Sequence, residues 1–367
     1  MKVAVTGARG FIGKNLLARL DATQGVEAAA VAHDDPCVLQ AGIADAQVVV
    51  HLAGVNRPEE PGEFATGNTG FTQALVAALQ DDPKPVIYAS SIKALDDSDY
   101  GRSKLAAEEA LSAYSQATSA PVMILRLANV FGKWARPDYN SAVATFCHRI
   151  SHDLPINVHD AQAVVRLVYI DDVIDTIVRL LSEPPAGTTL LSVEPEYAIS
   201  VGDLARTLEG FRAGEQSNAA PNSGDGLARA LYATYVSYLP KDRFTYELTE
   251  FKDPRGKFAE FLITERSGQV SVFTAGPGVT RGGHYHHTKV EKFLVVRGHA
   301  IFRQRNLVTG ELHETALDAD RLTVVQSIPG WIHEITNTGA EQLVCCLWSS
   351  ETFDPARADT YARPVGG

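Results

Sequence analysis

The rhythm of apolar residues changes once along this chain, near residue 245, and that change sets what it can fold into. Up to about Leu181, unbroken apolar runs at Val3–Thr6, Ala29–Ala32, Val48–Leu52, Val86–Ala89 and Val122–Leu125 alternate with amphipathic stretches at Ile12–Leu20, Phe71–Leu79 and Lys104–Ala117. Unbroken runs suit strands buried on both faces, and the intervening helices provide the cover. The expectation is an α/β Rossmann-type doubly wound parallel sheet. From about Phe244 the pattern becomes strand-like, at Ser271–Thr274, Glu291–Val296, Ala300–Arg305, Leu322–Val325 and Leu343–Trp348, with Gly, Pro, Asn and Asp between. Many short strands with few helix signals predict an all-β barrel or jelly roll. Between the halves, Val201–Phe211 reads as a helix, Ala213–Gly226 as a Ser/Asn/Gly/Pro-rich loop, and the aromatic-rich Leu231–Tyr238 as a segment packing between domains.

Charge narrows the partners. The 367 residues carry a formal net charge of −11, so neither nucleic acid nor an anionic membrane is an expected partner, because both need a basic footprint. No run approaches the roughly 18 apolar residues of a membrane span. Met1–Val5 enters a strand pattern at once, with no room for a secretory apolar region, and a cytoplasmic protein is expected. The four cysteines, two of them the adjacent Cys345 and Cys346, make no disulfide framework.

Thr6-Gly7-Ala8-Arg9-Gly10-Phe11-Ile12-Gly13 follows the first strand and opens the first helix. Glycines there permit a tight turn and close approach to a pyrophosphate, which the free N–H groups of the helix terminus would hold. Asp34 and Asp35 stand where an acidic residue would take the ribose hydroxyl of NAD, while Arg9 and His33 could instead receive a 2′-phosphate. NADPH is expected ahead of NADH. Tyr100 and Lys104 are spaced i to i+4, on one helical face. An ammonium there lowers the proton affinity of the phenol, so Tyr100 can exchange a proton with a carbonyl or alcohol oxygen. Ser90 and Ser91 end the preceding predicted strand and either hydroxyl could polarise that oxygen; Ser91 is preferred.

These residues resemble the extended short-chain dehydrogenase/reductase family. The early glycine turn, His51-Leu52-Ala53-Gly54, a serine before Tyr-x-x-x-Lys, Arg126-Leu127-Ala128-Asn129-Val130-Phe131-Gly132 and Tyr169-Ile170-Asp171-Asp172-Val173 occur in the family's order over about residues 1–180. The resemblance implies catalysis by Ser91, Tyr100 and Lys104. It places the cofactor on Gly7, Arg9, Gly10, Phe11, Ile12, Gly13, His33, Leu52, Ala53, Gly54, Tyr100 and Lys104. Only nine positions separate Ser91 from Tyr100, fewer than in most of the family.

The second half carries its own constellation. His284 and His286 alternate on a predicted strand and so face one side, and Glu291 and His333 can converge with them across neighbouring strands. Three imidazoles and a carboxylate suit a first-row divalent ion such as Zn, Mn, Fe or Ni, with zinc the expected one. The spacing from Gly278 through His284, His286 and Glu291 to Gly298, followed by Pro329-Gly330-Trp331-Ile332-His333 and Asn337, resembles the cupin family. Ile328 stands where that family has its proline. Asp253-Pro254-Arg255-Gly256-Lys257-Phe258 and Arg281-Gly282-Gly283-His284-Tyr285 further resemble cupin 3,5-epimerases of nucleotide-linked 4-ketohexoses. Such enzymes remove the acidic proton beside a ketone, and Lys292, Tyr285 and His287 are candidates for the base.

The order of reductase then cupin resembles a family of bifunctional capsular polysaccharide enzymes of the UDP-N-acetyl-L-fucosamine pathway. Phe131-Gly132-Lys133-Trp134, Tyr232–Pro240 and Gly283–Lys289 are among the matching stretches. The implied domains are 1–245, a reductase with a substrate-binding and linker region from about 182, and 246–367, a cupin jelly-roll barrel. The implied reactions are C3 epimerisation of a UDP-2-acetamido-2,6-dideoxy-4-ketohexose, then NADPH-dependent reduction at C4 to UDP-2-acetamido-2,6-dideoxy-L-talose, by a homodimer. Asn56, Arg57, Asn129, Lys133, Arg136, Arg166 and Lys292 are candidates for contacts with the UDP-linked 4-keto amino sugar. The alternative is a single-function reductase whose cupin only binds metal or sugar and builds the dimer.

Overall fold

The computed structural model describes residues 1–32, 36–217, 221, 223–247, 251–253, 256–258, 268–351, 356 and 358–366. His33, Asp34 and Asp35, and with them the reading of NAD against NADP at the second strand, lie outside the described residues. So do Pro254 and Arg255.

The chain opens as β1 (Lys2–Thr6), α1 (Phe11–Asp21), β2 (Glu27–Val31), α2 (Pro36–Ala44), β3 (Val48–His51), α3 (Phe71–Ala78), β4 (Val86–Ser91), α4 (Asp99–Thr118), β5 (Val122–Leu127) and β6 (Asn129–Phe131). It runs through α5 (Ala142–Ser151) and continues as β7 (Val164–Tyr169), α6 (Ile170–Ser182) and β8 (Thr188–Leu191). Six strands form one sheet in the order β2-β1-β3-β4-β5-β8, with every pairing parallel. Its central strands are buried on both faces, which is why they read as unbroken apolar runs. The expected doubly wound sheet is present.

The chain then passes through β9 (Glu196–Ser200), α7 (Val201–Ser217), α8 (Gly226–Val236) and β10 (Thr245–Glu247), then a hairpin of β11 (Phe251–Asp253) and β12 (Gly256–Phe258). The remaining strands are β13 (Gln269–Ala275), β14 (Thr280–Tyr285), β15 (Glu291–Arg297), β16 (His299–Asn306), β17 (Leu312–Asp318), β18 (Thr323–Ser327), β19 (Trp331–Asn337), β20 (Leu343–Ser349) and β21 (Tyr361–Ala362). They build two five-stranded sheets, β10-β18-β15-β20-β13 and β17-β16-β19-β14-β21. Side chains from both sheets share one core: Phe293 and Val295 pack with Phe302, Leu317 and Ile335. Two antiparallel sheets closing on one apolar layer give the expected jelly roll.

Two compact units emerge, Met1–Ser141 with Val165–Ala198, and Ala142–Val164 with Ile199–Gly367. The strand-rich pattern begins at Thr245, but α5, α7 and α8 belong to the unit that holds the barrel. Within that unit Phe211 of α7 meets the rings of Tyr232 and Tyr235 on α8. The expected loop from Ala213 is instead helix through Ser217. Tertiary packing overrides local composition there, since Glu215 lies half-buried beside Arg212 and Tyr235. No helix among the described residues is long and apolar enough to cross a membrane.

Candidate active site and metal centre

The glycine turn is built as its spacing requires. Gly7 has φ +67°, and a Cβ there would lie 2.5 Å from the Ala53 nitrogen, so only glycine fits. A Cβ on Gly13 would lie 2.3 Å from the Gly7 carbonyl oxygen. Gly10 caps α1 without a side-chain acceptor, which leaves the first amides of the helix for a ligand. Arg9 is exposed, Phe11 and Ile12 are half-buried, and Leu52, Ala53 and Gly54 continue from the end of β3. His51 itself is structural. Its ring nitrogens bond Thr6 Oγ1 at 2.8 Å and Thr72 Oγ1 at 3.0 Å, and the ring stacks on Tyr88.

Ser91 ends β4, and Tyr100 stands in the first turn of α4, where Ser98 accepts from the Gly101 amide at 3.0 Å. Burial raises the Tyr100 pKa, and a hydrogen bond with the Ser91 hydroxyl works in the opposite direction. One turn on, the fully buried Lys104 Nζ donates to the Ala89 carbonyl at 2.9 Å and lies 4.9 Å from the Tyr88 ring centroid. Burial pulls its pKa down to about 8, and the Glu108 carboxylate acts to raise it. The two serines differ. Ser90 donates to Glu108 at 2.5 Å, and the same carboxylate takes Arg126 at 2.6 Å, so Ser91 is the serine facing Tyr100. Sequence reasoning missed Glu108, whose i+4 spacing from Lys104 is a usable signal. It also missed the buried Asn68, which accepts from the Val55 amide at 2.8 Å and donates to Ser103 at 2.9 Å.

The substrate candidates scatter. Lys133 is buried, with Nζ 3.0 Å from each oxygen of Asp171, because an enclosed ammonium needs a counter-charge. That removes its charge from the role of a free sugar or diphosphate contact. Arg57 and Arg136 both lie over the Tyr139 ring, at 5.5 and 5.0 Å, and Arg57 also donates to the Tyr139 carbonyl at 2.8 Å. Asn56 is exposed nearby in sequence. Asn129 donates to the Arg166 carbonyl at 2.8 Å, while the Arg166 guanidinium pairs with Glu196. Lys292 faces away from the barrel interior. It is buried and donates to the Tyr246 hydroxyl at 3.0 Å, on the face of β15 opposite Glu291.

His284 on β14, His286 just after it, Glu291 at the start of β15 and His333 on β19 come together as expected. One ligand atom from each lies within 4.8 Å of the others. Glu291 Oε2 is 3.0 Å from His286 Nε2 and 3.2 Å from His333 Nε2. A bulge at Gly282 and Gly283, both with positive φ, shifts the register so that His284 stands opposite His333. Burial and the neighbouring imidazoles pull His284 down to about 3, and burial also lowers His333. Burial acts against ionisation of Glu291, but His286 and His333 hold its carboxyl well below the ordinary value. Metals are held by neutral imidazoles and ionised carboxylates, and the enclosed N₃O donor set fits a first-row divalent ion. Of the base candidates, Tyr285 stacks on Tyr361 and His287 meets the same ring edge-on.

A dinucleotide turn beside a Tyr-Lys pair defines a nicotinamide-dependent class, and the similarities to known proteins agree. Residues 3–191 match the NAD dependent epimerase/dehydratase family, and the chain belongs to it. Residues 251–361 match the polysaccharide biosynthesis C-terminal domain. More particularly, the chain is 48% identical, over all of its length and 99% of the relative's, to the UDP-2-acetamido-2,6-beta-L-arabino-hexul-4-ose reductase of Pseudomonas aeruginosa. The capsular polysaccharide assembling protein CapF from Staphylococcus aureus has a similar structure, with TM-score 0.68 and 37% identity over the whole of both chains. UDP-glucuronic acid 4-epimerase from Bacillus cereus, at TM-score 0.56 and 22% identity over 65% of this chain and 98% of its own, shares the fold.

Proposed function

We propose that the chain is a bifunctional nucleotide-sugar enzyme: an NADPH-dependent reductase of a UDP-2-acetamido-2,6-dideoxy-4-ketohexose whose barrel epimerises C3 beforehand. The observation that carries the reductase is Tyr100, bonded to Ser91 and one helical turn from the buried Lys104. NADPH held at the glycine turn would supply a hydride equivalent to C4. Tyr100 gives its proton to the carbonyl oxygen, Ser91 orients that oxygen, and Lys104 favours the phenolate left behind. The exposed Arg9 in the glycine turn suits a 2′-phosphate, and Arg57 and Arg136 suit the diphosphate of a UDP-sugar. The full-length similarity to a reductase of a UDP-linked hexulose supports the substrate class.

In the barrel, a bound divalent ion, for which zinc is our choice, would supply positive charge to stabilise an enolate oxygen. His284, His286, Glu291 and His333 would hold it. The product is UDP-2-acetamido-2,6-dideoxy-L-talose, made by a cytoplasmic homodimer. Purified protein given the ketosugar and NADPH should oxidise the dinucleotide and yield that product by NMR. If no UDP-linked 4-ketohexose is reduced, the reading fails.

One observation favours the single-function reading. Lys292 turns away from the ligand cluster toward Tyr246, and Tyr285 and His287 pack with Tyr361. Solvent deuterium uptake at C3 by the metal-loaded full chain without NADPH separates the two. Uptake supports epimerisation, and its absence leaves a reductase with a binding barrel.

A further inference from the structure

We infer that Asp359 positions His286 for ion binding, and that the segment from Asp359 to Val365 braces the ligand cluster. This rests on the reading that His284, His286, Glu291 and His333 hold a divalent ion. The Asp359 main-chain oxygen lies 2.5 Å from His286 Nδ1. An imidazole that donates through Nδ1 keeps its lone pair on Nε2, the nitrogen that faces Glu291. The carboxylate of the same residue gathers the turn between β14 and β15. It accepts from the amides of His287 at 2.9 Å, Thr288 at 2.7 Å and Lys289 at 2.8 Å, and from Thr288 Oγ1 at 2.9 Å. That turn joins one ligand, His286, to another, Glu291. Three successive N–H groups converging on one carboxylate hold a backbone in a single shape.

The residues that follow extend the hold to the other two ligands. β21 pairs with β14 at His284 and Tyr285, and the Arg363 amide donates to the Gly283 carbonyl at 2.8 Å, at the bulge that aims His284. Val365 is buried, and its carbonyl accepts from Arg305 Nε at 2.6 Å on β16, the strand paired with β19 and His333. Asp359 thus acts through His286 as a positioning residue.

The test is zinc affinity of the full-length protein, measured by competition with a chelator, for wild type, Asp359→Asn and Asp359→Ala. Asparagine keeps the size of the side chain but turns an NH₂ group toward backbone donors. The expected result is zinc binding weakened about 10–100-fold in both variants, because losing the carboxylate that anchors the turn unseats the Asp359 main-chain oxygen from His286, and that oxygen is the outer-shell partner. Melting temperature with and without zinc adds a readout that a merely structural role would leave alone. The rise on adding zinc should shrink in the variants. A lower metal-free melting temperature with an unchanged zinc-induced rise and unchanged affinity would overturn the inference. Should wild type bind no divalent ion, the ion-binding reading itself falls, a result distinct from equal binding by all three proteins.

Discussion

The Ser90 hydroxyl donates to Glu108 at 2.5 Å inside the protein, and Arg126 closes the other side of that carboxylate. The bond ties α4 to β4 one turn below Lys104. It also commits Ser90 to the fold, whereas the neighbouring Ser91 faces Tyr100.

The two serines should therefore fail differently. Ser90→Ala leaves a buried carboxylate short of one donor and should cost about 1.5–3 kcal/mol of stability. Ser91→Ala should lower kcat at a smaller stability cost, the loss of the exposed hydrogen bond that its hydroxyl accepts from the Lys93 amide. Denaturant melts and steady-state NADPH oxidation on both variants check this; a kcat defect confined to Ser90→Ala would reverse the assignment.

Tyr100→Phe removes the proposed proton donor. NADPH oxidation should fall about 10²–10⁴-fold, the usual contribution of a positioned acid. Deuterium exchange at C3 should persist, since it would belong to the barrel. Loss of both reactions together would show that they are not divided between the two sites.

Lys104 sets a pH limit on reduction. With its pKa drawn down to about 8 by burial, the ammonium is lost as pH rises through that value, so kcat/KM should fall above about 8. The unfolded chain keeps its proton to about 10.5, so between those values the folded state binds fewer protons and this group's contribution to stability rises with pH. Loss of the Lys104 proton therefore does not itself promote unfolding, and a melt at the same pH separates the two effects. Because Glu108 acts to raise the Lys104 pKa, Glu108→Gln should move the descending limb to lower pH. A pH–rate profile whose limb stays in place counts against it.

Lys133 tests a different idea. Its replacement by Ala takes the ammonium away from the buried Asp171 carboxylate and should cost about 3–5 kcal/mol. A raised KM at unchanged stability, measured by kinetics and melting together, would return Lys133 to the list of substrate contacts.

The fold and most of the site were legible where the requirement is local. Gly7 must be glycine because of its own backbone angle and the approach of Ala53, and Tyr100 and Lys104 share a face because a helix repeats every 3.6 residues. His284 and His286 share a side of one strand, and His333 joins them through the pairing of β14 with β19. What stayed hidden depends on distant partners. Nothing near Lys133 announces Asp171, and nothing near His286 announces Asp359. Lys292 follows Glu291 directly, yet strand alternation sends it to the opposite face, where only the folded chain supplies Tyr246.

The brace at Asp359–Val365 also imposes an order on biosynthesis. All four ligand side chains leave the ribosome before the segment that orients them, so a nascent chain carries the donors without their support. On that reading, ion capture at full strength would wait on those later residues, whereas the glycine turn and its helix are made first. On the same reading, a protease that nicks the chain between His333 and Asp359 would loosen an ion held by the four side chains while sparing the glycine turn.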